Sequence, residues 1–169
     1  AGNDGALLKE FKDEIGLRVL NIDPAKNLCV IARQEGIDSY ADFFNYKNSD
    51  IVLNQFGKAD LITATNVFAH VDNVTDFLNA SKNLLNKDGV LVLEFPYLID
   101  FIENNEFDTI YFEHLSYFSL IPIMRLCSNA GMKIIDAEKK SIHGGTIRVT
   151  IAHEESKYTP SANASQFIN

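Results

Sequence analysis

Positive charge is scarce in this sequence. Its 169 residues hold 15 Lys and Arg against 23 Asp and Glu, a formal charge of −8. Binding along a nucleic-acid backbone relies on clustered cations, so this balance argues against such a partner. Long apolar runs are missing too. No stretch of roughly 18 apolar residues occurs, so no segment reads as a membrane-spanning helix. The opening Ala1-Gly2-Asn3-Asp4-Gly5 has neither a basic nor an apolar region and is no signal peptide. Cysteine is nearly absent. Cys29 and Cys127 lack metal-ligand spacing and lie in helical stretches, so they read as small buried hydrophobes in a reducing compartment, the cytoplasm. No metal site is expected. What remains, 46% hydrophobic and 22% charged, is globular composition for one domain.

Elements of two periods alternate along the chain. Residues 6–15 carry apolar side chains at helical spacing, and 18–22 form a short β-rich run closed by Asp23-Pro24. Pro24 opens a second helical stretch that Gly36 ends. A weak strand around 37–44 and a polar connection through Asn48 and Asp50 follow. Residues 59–66 are a buried strand. Asp72–Asp76 caps a helix with Val74, Phe77, Leu78, Leu84 and Leu85 on one face. Asp88-Gly89 is a turn before the strand 90–95. Two-sided apolar strands between helices predict a parallel sheet covered on both faces. Residues 132–140 and 146–153 leave no room for a helix between them, so they predict an antiparallel hairpin appended to that sheet. The expected unit is one α/β domain over residues 1–157, with a loose polar tail at 158–169 and Phe167 and Ile168 docking elsewhere. Opening on turn residues suggests that a first element is missing.

Ligands of open parallel sheets sit beyond the carboxyl ends of the strands. Four such ends are legible. Asn3-Asp4-Gly5 leads into a helix, and glycine there lets backbone approach a ligand. Asp23 can accept hydrogen bonds from both hydroxyls of a ribose, or can simply cap the next helix. Asp42, beside Phe43 and Phe44, suits an adenine amino group and its flat face; a solvated acid and core rings are the alternatives. Asn66 to His70 end the central strand. A nicotinamide dinucleotide shares the ribose carboxylate but wants G-x-G-x-x-G around its pyrophosphate. Here Asp4 stands between Gly2 and Gly5, and no helix start carries Lys or Arg. An acid repels phosphate and attracts a cation, which favours S-adenosylmethionine, whose sulfonium and amino-acid group replace phosphates.

Asn3-Asp4-Gly5-Ala6-Leu7-Leu8, Ile22-Asp23-Pro24-Ala25 and Asn66-Val67-Phe68-Ala69-His70-Val71 resemble class I S-adenosylmethionine-dependent methyltransferases. Tyr111-Phe112-Glu113-His114-Leu115-Ser116-Tyr117-Phe118-Ser119 and His143-Gly144-Gly145-Thr146-Ile147-Arg148 are similar to the sugar C-methyltransferases, which methylate carbon 3 of nucleotide-linked 4-keto-deoxysugars. The resemblance runs from residue 2 to about 153. It implies a Rossmann-like, mostly parallel sheet with a C-terminal antiparallel hairpin. It also implies an S-adenosylmethionine site at Asn3, Asp4, Gly5, Asp23, Asp42, Phe43 and Asn66, and catalytic roles for His70, Tyr111, Glu113 and His114. Phe112 departs from the pattern, standing where the family usually has another His. The family's zinc-binding domain, first strand and C-terminal region have no counterpart here.

Methylating a carbon beside a carbonyl means removing its proton, holding an enolate and presenting it to an electrophilic methyl. An imidazole is a fitting base near neutral pH. His114 is the expected base, with Glu113 orienting it or sharing the proton, and with Tyr111 and His70 donating to the oxyanion. Arg148 reads as an exposed-strand arginine or as a partner for the substrate diphosphate. His143 reads as a hairpin turn or as a substrate contact. Two rivals remain: a small-molecule O- or N-methyltransferase, and a non-catalytic fragment of the fold.

Overall fold

The computed structural model describes residues 2–142 and 144–168, with side chains to 165. Helix α1 (Ala6–Ile15) leads into β1 (Leu20–Ile22), α2 (Lys26–Gln34), β2 (Asp38–Tyr40) and α3 (Tyr46–Phe56). The chain continues through β3 (Ala59–Thr65), α4 (Val74–Leu84), β4 (Leu85–Pro96) and the short α5 (Leu98–Glu103). Helix α6 (Leu120–Asn129), β5 (Met132–Lys140), β6 (Thr146–His153) and α7 (Ala162–Ile168) complete it.

The strands fall into two sheets rather than one. β1 and β2 pair in parallel, and the other four stand in the order β3-β4-β6-β5. β3 and β4 are parallel, whereas β6 is antiparallel to both β4 and β5. Only β6 therefore runs against its sheet, and the predicted hairpin is present with its second strand inserted next to β4.

Side-chain alternation sorts the larger sheet into two faces. Leu91, Leu93 and Phe95 of β4 stand opposite Ile151, Val149 and Ile147 of β6, and all six are fully buried. Phe77 and Leu78 of α4 and Ile123 and Cys127 of α6 cover this face. Phe68, just beyond β3, lies 5.1 Å from Phe118 and 5.4 Å from Phe77 between ring centroids, tilted or edge-on as aromatic quadrupoles favour. The opposite face carries Glu94 and Arg148 side by side. Burial on both faces, expected for all strands, does not hold for β3, where Leu61 is 41% exposed along an open edge.

Three local readings are corrected. The polar connection through Asn48 and Asp50 is helix α3: the Asn45 side chain accepts from the Asn48 N–H, capping it. Asn48 and Ser49 are buried because they bond backward to the Phe43 and Tyr46 carbonyls, so polar composition concealed a helix. Asp88-Gly89 is no interelement turn. It lies within β4 at a register shift, where Ala59 faces Leu85 but Leu61 faces Val90. A Cβ on Gly89 would stand 2.9 Å from the Ala59 carbonyl oxygen, so only glycine fits that approach. Leu85, placed on α4 by its spacing, is the first residue of β4.

The segment after Lys157 is tied down rather than loose. The Lys157 N–H donates to Asp88 Oδ1, the Tyr158 hydroxyl donates to the Asp88 carbonyl, and Ser161 bonds Asp136. Ala164 of α7 is fully buried in the main core. The expected docking of the Phe167 and Ile168 side chains lies outside the described residues.

Candidate functional site

The predicted residues gather in two groups at the carboxyl ends of the parallel strands. The first surrounds the end of β1. Asp23, 4% exposed, accepts the Asn3 N–H at Oδ2 (2.9 Å) and the Ala25 N–H at Oδ1 (2.8 Å). One carboxylate thus fixes both the loop ahead of α1 and the entry to α2. Each of its oxygens keeps a further lone pair for a hydroxyl donor. The Asn21 side chain holds the same loop from below, donating to the Asn3 carbonyl (3.0 Å). Its Oδ1 is buried with no hydrogen-bond partner.

Backbone strain marks this end of the sheet. Asn3 (φ 56°) and Asn66 (φ 54°) are both left-handed, a conformation uncommon outside glycine and held only where surroundings impose it. Asn66 is fixed by its N–H bond to the Glu94 carbonyl, 2.8 Å long, at the end of β3. Gly5 is left-handed as well, and an added Cβ there would press to 3.2 Å from Ala32 Cβ. Asp4 Oδ1 accepts from the Ala6 N–H, satisfying one free donor of the first turn of α1. Phe43 is 66% exposed, leaving a ring face open, whereas Phe44 packs on Phe77 at 4.8 Å. The adenine-platform reading of this pair therefore rests on Phe43 alone. Asp42 binds its own neighbour's N–H, that of Phe43. These residues fit a cationic, ribose-bearing cofactor: acids and open lone pairs line the loop, and no Lys or Arg stands among them.

The second group lies beyond β3 and β4. The turn Phe68–His70 follows β3, and the Ala69 carbonyl accepts from both Leu115 N–H (2.9 Å) and Ser116 N–H (3.2 Å). That double bond pins the segment carrying the Tyr-x-Glu-His block against the strand end. His70 and His114 meet edge to face at 4.9 Å between centroids. His114 Nδ1 lies 2.9 Å from the Thr109 carbonyl oxygen, and Nε2 lies 2.8 Å from the Tyr111 hydroxyl. A carbonyl only accepts, so Nδ1 carries the proton and Nε2 of the neutral ring is the basic nitrogen. The Tyr111 hydroxyl donates to it.

Glu113 is exposed and bonds neither nitrogen of His114, because Thr109 and Tyr111 occupy both. The expected orienting role thus falls to the Thr109 carbonyl. Phe112 is 97% exposed. Arg148 is already engaged: its Nε and Nη2 donate to Glu94 Oε2 at 2.9 and 2.7 Å, and the Glu94 side chain is 7% exposed. His143 lies outside the described residues. Sequence reading missed Thr109, which acts through a backbone atom and leaves no side-chain signature. It also missed Glu94, which reads as one acid in an apolar strand. Among the described residues no group of three or more His, Cys, Asp or Glu could hold a metal ion. No helix there is long and apolar enough to cross a membrane.

The Rossmann-like arrangement of parallel strands with an appended antiparallel hairpin is the fold of the methyltransferase class. The chain belongs to the family described as "Methyltransferase domain", whose model matches residues 1–137. It is 36% identical over 150 residues to C-methyltransferase NovU of Streptomyces niveus, a match covering 89% of this chain and 36% of that protein. It is 32% identical over 94 residues to the ubiquinone biosynthesis O-methyltransferase of Xanthomonas oryzae pv. oryzae, covering 54% of this chain and 39% of that one. The chain thus spans little more than a third of the length of these curated relatives. Among solved structures, a SAM-dependent methyltransferase from Anabaena variabilis superposes with TM-score 0.69 at 19% identity, over 90% of this chain and 74% of the other. Magnesium protoporphyrin IX methyltransferase from Synechocystis, with bound SAH, gives 0.67 at 13% identity, over 90% and 71%. These two share the fold.

Proposed function

We propose that this chain is the core of an S-adenosylmethionine-dependent C-methyltransferase acting on a nucleotide-linked 4-keto-deoxysugar. The observation that carries this reading is the Thr109–His114–Tyr111 chain, which presents a neutral imidazole with a defined basic nitrogen beside His70. The C-methyltransferase relative, matched over most of this chain, supports the carbon acceptor. The cofactor supplies an electrophilic methyl on a cationic sulfur. Asn3, Asp4, Gly5, Asp23, Asp42, Phe43 and Asn66 are the residues that would hold it.

The remaining chemistry belongs to the chain. The Thr109 carbonyl fixes the tautomer of His114. A proton leaving the sugar carbon reaches Nε2 either directly, once Tyr111 turns aside, or through the phenol, which gives its own proton to Nε2 as its oxygen takes the substrate's. His70, on the same side, donates to the enolate oxygen formed. Glu113 faces solvent, open to the substrate. Arg148, neutralised by Glu94, meets a diphosphate through the donors it has left, and His143 is the companion substrate contact.

Deuterium wash-out at carbon 3 of a nucleotide-linked 4-keto sugar tests the reading. His114→Ala is expected to slow exchange by about 10²–10⁴-fold, the usual worth of a general base. Unchanged exchange would remove the base assignment. Binding of S-adenosylhomocysteine, followed by titration calorimetry, separates an enzyme core from a fold that binds nothing. The relative named as an O-methyltransferase favours one second reading, transfer to a small-molecule hydroxyl, in which the same imidazole deprotonates oxygen. Methylation without carbon-bound exchange would select it.

A further inference from the structure

Asn21 stands in the middle of β1, two residues before Asp23, and is fully buried. Residues two apart on a strand share a face, so both side chains reach the same loop. Together they grip one residue by both of its backbone groups. Asp23 Oδ2 accepts the Asn3 N–H at 2.9 Å, and Asn21 Nδ2 donates to the Asn3 carbonyl at 3.0 Å. Asn3 is left-handed, with φ 56°. Such a backbone costs free energy outside glycine and lasts only where its surroundings over-determine it. A bond at the N–H and another at the carbonyl supply that over-determination.

Chemistry aims the amide. A carbonyl accepts only, so the NH2 end of Asn21 faces Asn3 and the Oδ1 end faces Gly2. A Cβ on Gly2 would stand 1.8 Å from Oδ1, so the amide packs against the chain only because residue 2 has no side chain. Oδ1 is buried without a hydrogen-bond partner among the described residues. A buried acceptor left unpaired opposes folding, and an apolar side chain here would avoid that cost. What the amide does that an apolar side chain cannot is hold the Asn3 carbonyl. We infer that Asn21 is a positioning residue for the cofactor, which keeps Asn3 left-handed and so presets the Asn3–Gly5 loop. It acts through Asn3 and not by contact. A loop already held in its binding shape need not be ordered when the ligand arrives, and that saving appears as affinity. The inference rests on the cofactor reading above.

Asn21→Ala, made alone and together with Asn3→Gly, tests it. Glycine takes the left-handed backbone without strain, so at position 3 it needs no clamp. In the parent, Asn21→Ala is expected to weaken S-adenosylhomocysteine binding about tenfold in titration calorimetry, the upper effect of one neutral hydrogen bond. In the Asn3→Gly background the same substitution is expected to change affinity by less than about twofold, because the two sites act as one unit. Without cofactor, the Asn3 amide of the Asn21→Ala chain is expected to exchange about tenfold faster in NMR hydrogen exchange. The urea midpoint is expected to hold or rise, since backbone strain and an unpaired acceptor are removed together. A merely structural asparagine gives the opposite result, a lower midpoint with equal affinity losses in both backgrounds, and that result overturns the inference. Unchanged Asn3 exchange overturns it whatever the cofactor does. A parent chain that binds no S-adenosylhomocysteine overturns the cofactor reading, and the link from clamp to affinity with it, while the amide exchange still decides the clamp.

Discussion

At the scale of single residues, the best-defined chemistry is the pair of bonds on His114. Thr109 supplies an acceptor that cannot donate, and this one fact decides which nitrogen is basic. Tyr111→Phe removes the hydroxyl bonded to Nε2, so the substrate exchange rate separates the two proton routes. A loss of about 10²-fold or more identifies the phenol as the relay, whereas a rate equal to or above the parent shows that Nε2 works directly. Cys127 is chemically opposite. It is fully buried, and desolvation pushes its thiol up from 9.0 to about 12. A raised value in the folded state means that its contribution to stability is complete below the unfolded thiol's range and is lost as pH climbs from 9 toward 12. Cys127→Ala is expected to flatten the alkaline side of the stability profile, measured by urea unfolding between pH 8 and 11.

At the scale of elements, the structure follows the sequence where side chains alone carry the signal. The 3.6-residue spacing of α4 and the two strand-like runs of β5 and β6, too close for a helix between them, predicted those elements. α3 was not legible, since its polar residues are satisfied by backbone carbonyls rather than by solvent. The candidate site behaved likewise: Asp23, Asn66, Tyr111 and His114 could be proposed from type and place, while the Thr109 carbonyl contact and the Glu94–Arg148 pair exist only through the fold. The C-terminal segment gives a further test. Its backbone N–H at Lys157, bonded to Asp88, holds that carboxyl below the usual range, aided by the Lys157 charge. A lowered value means that the linkage is present above the unfolded range and is lost as pH falls through the folded value. The Lys157 amide resonance is expected to shift at acid pH together with the Asp88 carboxyl, and Asp88→Asn is expected to abolish that titration.

At the scale of the whole molecule, most of the proposed cofactor residues and the imidazole sit on different sheets, Asn66 being the exception. Asp23 and the Asn3–Gly5 loop belong with β1, whereas His70 and His114 belong with β3 and β4. No strand ladder crosses between the two among the described residues. The large aromatic and aliphatic core belongs to the four-stranded sheet, while Cys29, Ala32 and Ile37 form a much smaller buried set around β1 and β2. Cooperativity in unfolding depends on such shared structure, and units that share little of it open independently. The chain is expected to melt in two steps, the β1–β2 half first, and scanning calorimetry should resolve them. A cofactor that touches the first half alone raises only the lower transition, by mass action on that half. One that bridges to Asn66 draws the two transitions together. Heat capacity traces with and without S-adenosylhomocysteine thus report where the ligand's grip ends, with no mutation and no turnover.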